Sequence, residues 1–95
     1  MEFDSLVHQP TRLRLFAHLY RHGETSFPEL KAALDVTDGN LSSHLGRMED
    51  AGAVSVEKRF VERTPKTTYE LTDEGRELFE THIETLESLI GQLEE

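Results

Sequence analysis

Thr37-Asp38-Gly39-Asn40-Leu41-Ser42-Ser43-His44-Leu45-Gly46-Arg47-Met48-Glu49-Asp50-Ala51-Gly52 is the stretch that decides the fold of this chain. Leu41, Leu45 and Met48 recur at steps of four and three, so they share one face of a helix and must point into a core. Thr37 is placed to cap the helix start through its hydroxyl, with Asp38 as an alternative cap. Gly52 supplies the left-handed residue that stops the helix. Upstream, Ser26 opens a shorter helix. Glu29 stands three residues later, the spacing of a capping box, and Phe27, Leu30, Ala33 and Leu34 form its apolar face. It ends near Asp35. Two short helices joined by a tight turn over residues 26–52 make a helix-turn-helix pattern.

Outward from this centre, Pro10 to His22 reads as a preceding helix. Proline is favourable in a first helical turn, and Gly23 ends the segment. Leu13, Phe16 and Tyr20 give the apolar stripe, widened by Leu15 and Leu19. Asp4 to His8 reads as a short helical turn set off by Pro10. Downstream the period changes from helical to alternating. Val54, Val56, Lys58 and Phe60 alternate with polar residues, as do Thr67, Tyr69 and Leu71, with Arg63-Thr64-Pro65 as the turn between them. Residues 54–71 therefore read as a β-hairpin with a basic tip. The last helix, residues 72–93, opens on Thr72 with Asp73 and Glu74 in its first turn, where the helix dipole favours anions. Phe79, Ile83, Leu86, Ile90 and Leu93 are spaced 4-3-4-3, the seam of a coiled coil. The fold class expected is mainly α with a small β-hairpin wing: one winged helix-turn-helix domain over residues 1–95, with a long C-terminal dimerisation helix.

With Leu41, Leu45 and Met48 turned inward, Asn40, Ser43, His44 and Arg47 lie outward, and Thr37, Gly39 and Ser42 sit at the leading end. In a helix-turn-helix this surface meets the major groove. Arg47 matches the acceptor pair of guanine and Asn40 the donor–acceptor pair of adenine. Gly39 lets a backbone approach, and the helix N-terminus suits a phosphate. Lys58, Arg59, Arg63 and Lys66 on the hairpin are candidates to hold phosphates or to enter the minor groove. Phe79, Ile83, Leu86, Ile90 and Leu93 are the candidate dimerisation residues. A dimer would set its two reading helices about 34 Å apart, one turn of DNA.

Taken in order, Thr37 to Leu45, Met48 to Gly52, Val54 to Phe60, and Pro65 to Leu71 with Thr72 and Gly75 resemble the winged helix regulators related to the MarR and ArsR families. The likeness is greatest to a compact subgroup of about this length. Pro10 to Leu15 resembles the first helix of that group, so the likeness covers nearly the whole chain. It implies a transcriptional regulator that binds a pseudo-palindromic operator in double-stranded DNA as a homodimer. In that group the C-terminal helix, often with the first, builds the dimer. The strongly acidic C-terminal region departs from the group's pattern.

Composition bounds the alternatives. In 95 residues, 36% are hydrophobic and 31% charged, which suits one folded domain. The absence of cysteine removes disulfides, thiol catalysis and thiolate metal sites. No apolar run suits a membrane span, and the N-terminus shows no signal-peptide pattern, so a cytoplasmic protein is expected. The formal net charge is −9, unfavourable at first sight for a nucleic-acid partner. The distribution is uneven: residues 54–68 carry a net +2 and residues 69–95 a net −8. Acids outnumber bases 19 to 10, a balance that would fit a high-salt cytoplasm. No nucleophile turn, phosphate loop or paired carboxylates suggest an enzyme, and no cofactor or catalytic residue is expected. His18 and His22 stand at i, i+4 without a third ligand. His82 has only Glu80, Glu84 and Glu87 nearby in sequence, better read as a solvated helix face than as the metal site of an ArsR-like sensor, so no metal is expected. The rival readings are a winged helix used only as a protein-interaction module and a metal- or ligand-responsive regulator. No small-molecule effector can be named.

Overall fold

The computed structural model describes residues 2–94, in the order α1 (Pro10–His22), β1 (Thr25–Ser26), α2 (Phe27–Leu34), α3 (Asp38–Asp50), β2 (Val54–Val61), β3 (Thr64–Leu71) and α4 (Asp73–Leu93). The fold is mainly α with a hairpin wing. The three strands form an antiparallel sheet in the order β1-β3-β2. β1 is too short to leave a periodic trace. It pairs Thr25 with Tyr69 and Ser26 with Thr68, tying the start of α2 to the wing.

Each helix is bounded by local chemistry. The Gln9 side chain accepts the Arg12 N–H at 2.8 Å to open α1, and Gly23 at φ 76° closes it. Ser26 caps α2 by accepting the Glu29 N–H at 3.4 Å. The expected capping box is not reciprocal, because the Glu29 carboxylate accepts from the Ser26 hydroxyl at 2.7 Å rather than from its backbone. Ser26 also ends β1 opposite Thr68. Thr37, not Asp38, caps α3, accepting the Asn40 N–H at 3.2 Å. Asp38 instead pairs with Lys31 at 2.8 Å. At the other end the Gly52 N–H donates to Glu49 O at 2.9 Å and the Ala53 N–H to Met48 O at 2.8 Å. With Gly52 at φ 75°, this is a Schellman closure.

The core holds Val7, Leu15, Phe16, Leu19, Leu30, Leu34, Leu41, Leu45, Met48, Ala53, Val54, Leu71 and Phe79. Two expected faces are displaced. The buried line of α1 is Arg12, Leu15, Phe16 and Leu19, while Tyr20 lies at the surface under Arg76. The expected Leu13–Phe16–Tyr20 line is thus rotated toward Arg12. In α2, Leu30 and Leu34 reach the core one turn apart and Ala33 stands to the side, exposed. The hairpin turn is also shifted. It is the pair Glu62–Arg63, both at positive φ (52° and 68°), with Thr64 and Pro65 already in β3. Two positive-φ residues give the hairpin turn whose twist matches the strands. Pro65 faces Phe60 across the ladder, one step from the turn, in the pair type that exchanges no N–H bonds.

Ahead of α1, Asp4 organises the N-terminal arm. Its carboxylate accepts from the Leu6 and Val7 N–H groups at 2.8 and 3.2 Å, and the His8 N–H donates to Asp4 O at 2.8 Å. Val7 is thereby buried, Phe3 stacks on the His8 ring, and His8 Nδ1 meets His82 Nε2 of α4 at 3.1 Å. His82 is only 2% exposed, which corrects the expectation of a solvated face.

Candidate nucleic-acid interface

Burial of Leu41, Leu45 and Met48 fixes the rotation of α3. Thr37, Gly39, Asn40, Ser42, Ser43 and Arg47 are then exposed, as expected. Between Gly39 and Arg47 there is no acidic residue, although acids make up 19 of the chain's 95 residues. Gly39 has open space where a Cβ would stand and needs no left-handed conformation, so neither packing nor backbone shape explains a glycine there.

His44 departs from the expected outward placement. It is half-buried, and its Nδ1 lies 3.1 Å from Arg12 Nη1. Arg12 is 8% exposed. Its Nε donates to Leu6 O at 2.6 Å and its Nη2 to Ser5 O at 3.1 Å. One α1 guanidinium thus joins the N-terminal arm to α3. Burial, then the cations of Arg12 and Arg47, push the His44 pKa down. Burial and the nearby Arg47 lower that of Arg12 as well. The sequence offered no signal for this pair, since its members are 32 residues apart.

The wing does not gather its four cations at one tip. Arg63 occupies the turn. Arg59 and Lys66 oppose each other on one face, while Lys58, opposite Thr67, is on the other. Like charges directly opposite each other repel; here Arg59 is drawn aside by Glu24 at 3.0 Å and Glu57 at 3.4 Å. Lys58, Arg63 and Lys66 make no ion pair within 4.0 Å among the described residues. Phe60, read as an ordinary member of the alternating strand, is 76% exposed because β2 extends past the core.

The apolar seam of α4 divides. Phe79 packs inside its own chain against Phe16 and Tyr20, with ring centres 6.2 and 5.1 Å away, and Ile83 lies half-buried on the same core. The burial of Phe79 in its own chain corrects its expected place in a dimer contact. Leu86 is half-buried, whereas Ile90 and Leu93 are 54% and 77% exposed. No helix among the described residues is long and apolar enough to cross a membrane. No group of three or more His, Cys, Asp or Glu side chains among them is placed to hold a metal ion. The His18 and His22 rings lie 4.5 Å apart.

Comparison with known proteins gives the same architecture. Residues 11–90 match the model of a family described as a winged helix DNA-binding domain. The chain belongs to the winged helix DNA-binding domain family. It is 34% identical over 92 residues to an uncharacterised protein of Methanocaldococcus jannaschii, covering 97% of this chain and 96% of that protein. A transcriptional regulator homologue from Pyrococcus horikoshii superposes with a TM-score of 0.88 at 32% identity, over 93% of this chain and 87% of that one. A MarR-family protein from Enterococcus faecalis gives 0.74 at 34% identity, over 95% and 77%. The hairpin β2–β3 is the wing of this fold.

Proposed function

We propose that this winged helix protein is a transcriptional regulator that binds a pseudo-palindromic operator in double-stranded DNA as a homodimer. The observation that carries the reading is the acid-free stretch of α3 from Gly39 to Arg47, with Gly39, Asn40, Ser42, Ser43 and Arg47 exposed, on a fold that has the wing cations Lys58, Arg63 and Lys66 as well. Asn40, Ser43 and Arg47 supply base-edge contacts, with Thr37, Gly39 and Ser42 at the leading end. His44 lies at the flank of this face. Arg63 and Lys66, with Lys58 and the partly neutralised Arg59, hold the backbone. The end of α4, half-buried Leu86 with exposed Ile90 and Leu93, is the dimer contact, and no catalytic role is assigned. The transcriptional regulator homologue of Pyrococcus horikoshii supports the same role.

The test is binding to duplex DNA by wild type and by Arg47→Ala and Arg63→Ala. Loss of Arg47 should weaken binding in a sequence-dependent way. Loss of Arg63 should weaken it across sequences and flatten the salt dependence. Unchanged binding in both variants contradicts the proposal.

A further inference from the structure

We infer that Arg12 locks His44 in the tautomer with its proton on Nε2, making His44 a donor-only reader of a base edge in the major groove. This deepens the operator-binding reading and rests on it. A guanidinium has N–H groups and no lone pair to offer, and it does not deprotonate in proteins. Arg12 Nη1 sits 3.1 Å from His44 Nδ1, so that contact is a hydrogen bond only if Nδ1 is bare. A neutral imidazole carries one proton, which must then be on Nε2. The alternative places two N–H groups nose to nose at that distance. A doubly protonated His44 would add a second cation beside the first.

The lock has a rigid frame. Arg12 cannot turn away, because its Nε and Nη2 are held by the carbonyls of Leu6 and Ser5 at 2.6 and 3.1 Å. No carboxylate lies within ion-pair distance of it among the described residues, so the imidazole lone pair is not in competition with an anion. Among the described residues His44 Nε2 has no hydrogen-bond partner, and it is not sealed from solvent. A fixed donor there donates to guanine N7 or O6, adenine N7 or thymine O4. It is mismatched to the exocyclic amines of adenine and cytosine. Arg12 is thus a positioning residue, and His44 a specificity residue whose polarity is set from α1.

Two measurements test this. Long-range proton–nitrogen spectra of the free protein at pH 7.5 distinguish bare from protonated ring nitrogens. The expected result is a bare Nδ1 and a protonated Nε2 at His44; a protonated Nδ1 overturns the lock whether or not DNA binds. Arg12→Gln brings an amide that can accept as well as donate, so both tautomers should appear in that variant. The second measurement compares base preference in selected duplexes. His44→Asn keeps an acceptor for Arg12 but has nothing at the Nε2 position, whereas His44→Gln places an amide N–H there. The asparagine variant should lose roughly tenfold in preference at one base pair per half-site, and the glutamine variant should retain part of it. A uniform loss across all sequences in both variants would assign His44 to a phosphate and overturn base reading. If wild type selects no sequence, the operator reading fails and base reading with it. The spectra then still decide the tautomer.

Discussion

Gly75→Ala is the substitution whose consequence the structure fixes most sharply. A Cβ at position 75 would stand 2.0 Å from Ala53 O, 2.8 Å from Ala53 C and 3.0 Å from Ala53 Cα. These are backbone atoms, so no side chain can swing aside. Ala53 is held at both ends: its N–H donates to Met48 O at 2.8 Å, and its carbonyl accepts the Thr72 N–H at 3.0 Å. Relief requires the start of α4 to move away, which breaks the Thr72–Ala53 bond and the 2.6 Å bond from the Thr72 hydroxyl to Gly52 O. Overpacking costs about 1–3 kcal/mol, and two hydrogen bonds add about 1 kcal/mol each. A loss of roughly 3–5 kcal/mol is expected, a large share of the about 5–15 kcal/mol of a typical domain. At about 4–8 °C per kcal/mol for a domain of this size, the midpoint should fall by at least about 12 °C. The assay is thermal and urea unfolding at one fixed protein concentration, since a dimer's stability depends on it. Gly46→Ala and Gly91→Ala are internal controls, because a Cβ at either site meets nothing within 4 Å. Each should gain up to about 1 kcal/mol from helix propensity. A Gly75→Ala protein within about 0.5 kcal/mol of wild type would refute the close docking of α4 on Ala53.

Two further outcomes follow from the same packing. His82 is buried with Nδ1 unpaired; burial, then the facing His8, lower its pKa, while Asp4 acts in the opposite direction. A base whose folded pKa is depressed contributes stability that is complete above its unfolded value, about 6.5, and is lost as pH falls through the folded value. Urea midpoints measured from pH 7.5 to 5 should therefore drop more steeply for wild type than for His82→Gln; parallel profiles would count against the buried neutral histidine. Ile90 and Leu93 are mostly exposed, so Ile90→Ser with Leu93→Ser should leave the fold intact while removing four apolar side chains from a dimer. At about 1 kcal/mol each, association should weaken roughly a thousandfold; an unchanged mass in sedimentation at micromolar concentration contradicts the placement of the dimer contact.

The elements that were legible in the sequence are those written in local code. Thr37, the Leu41–Leu45–Met48 spacing and Gly52 together delimit α3, because cap, period and stop all act within a few residues. The hairpin turn was misplaced because Glu62 and Arg63 adopt positive φ without the glycine or asparagine that usually announces it. Proline at 65 drew the reading toward itself instead. The seam of α4 looked continuous because helical spacing does not say whether a face is covered by its own chain. Phe79 meets Phe16, and only the last turns remain free. Nothing in the sequence sets Arg12 apart from Arg14 and Arg21 of the same helix. The burial of Arg12 depends on carbonyls supplied by the arm and a histidine supplied by α3, which only the tertiary structure brings together.

The surface of α3 is where the proposed function meets its most direct test. Its exposed groups are few, and the net charge of −9 opposes binding to a polyanion. On the proposed function, sequence choice comes from the face that includes Asn40, Ser43 and Arg47, doubled by a homodimer. The direct measurement is selection of bound sequences from a random duplex library, at low and at high salt. The expected result is a palindromic motif whose half-sites lie about one helical turn apart, with weaker retention but the same motif at high salt. Recovery of unenriched sequences by folded, dimeric protein at both salts would contradict the proposed function.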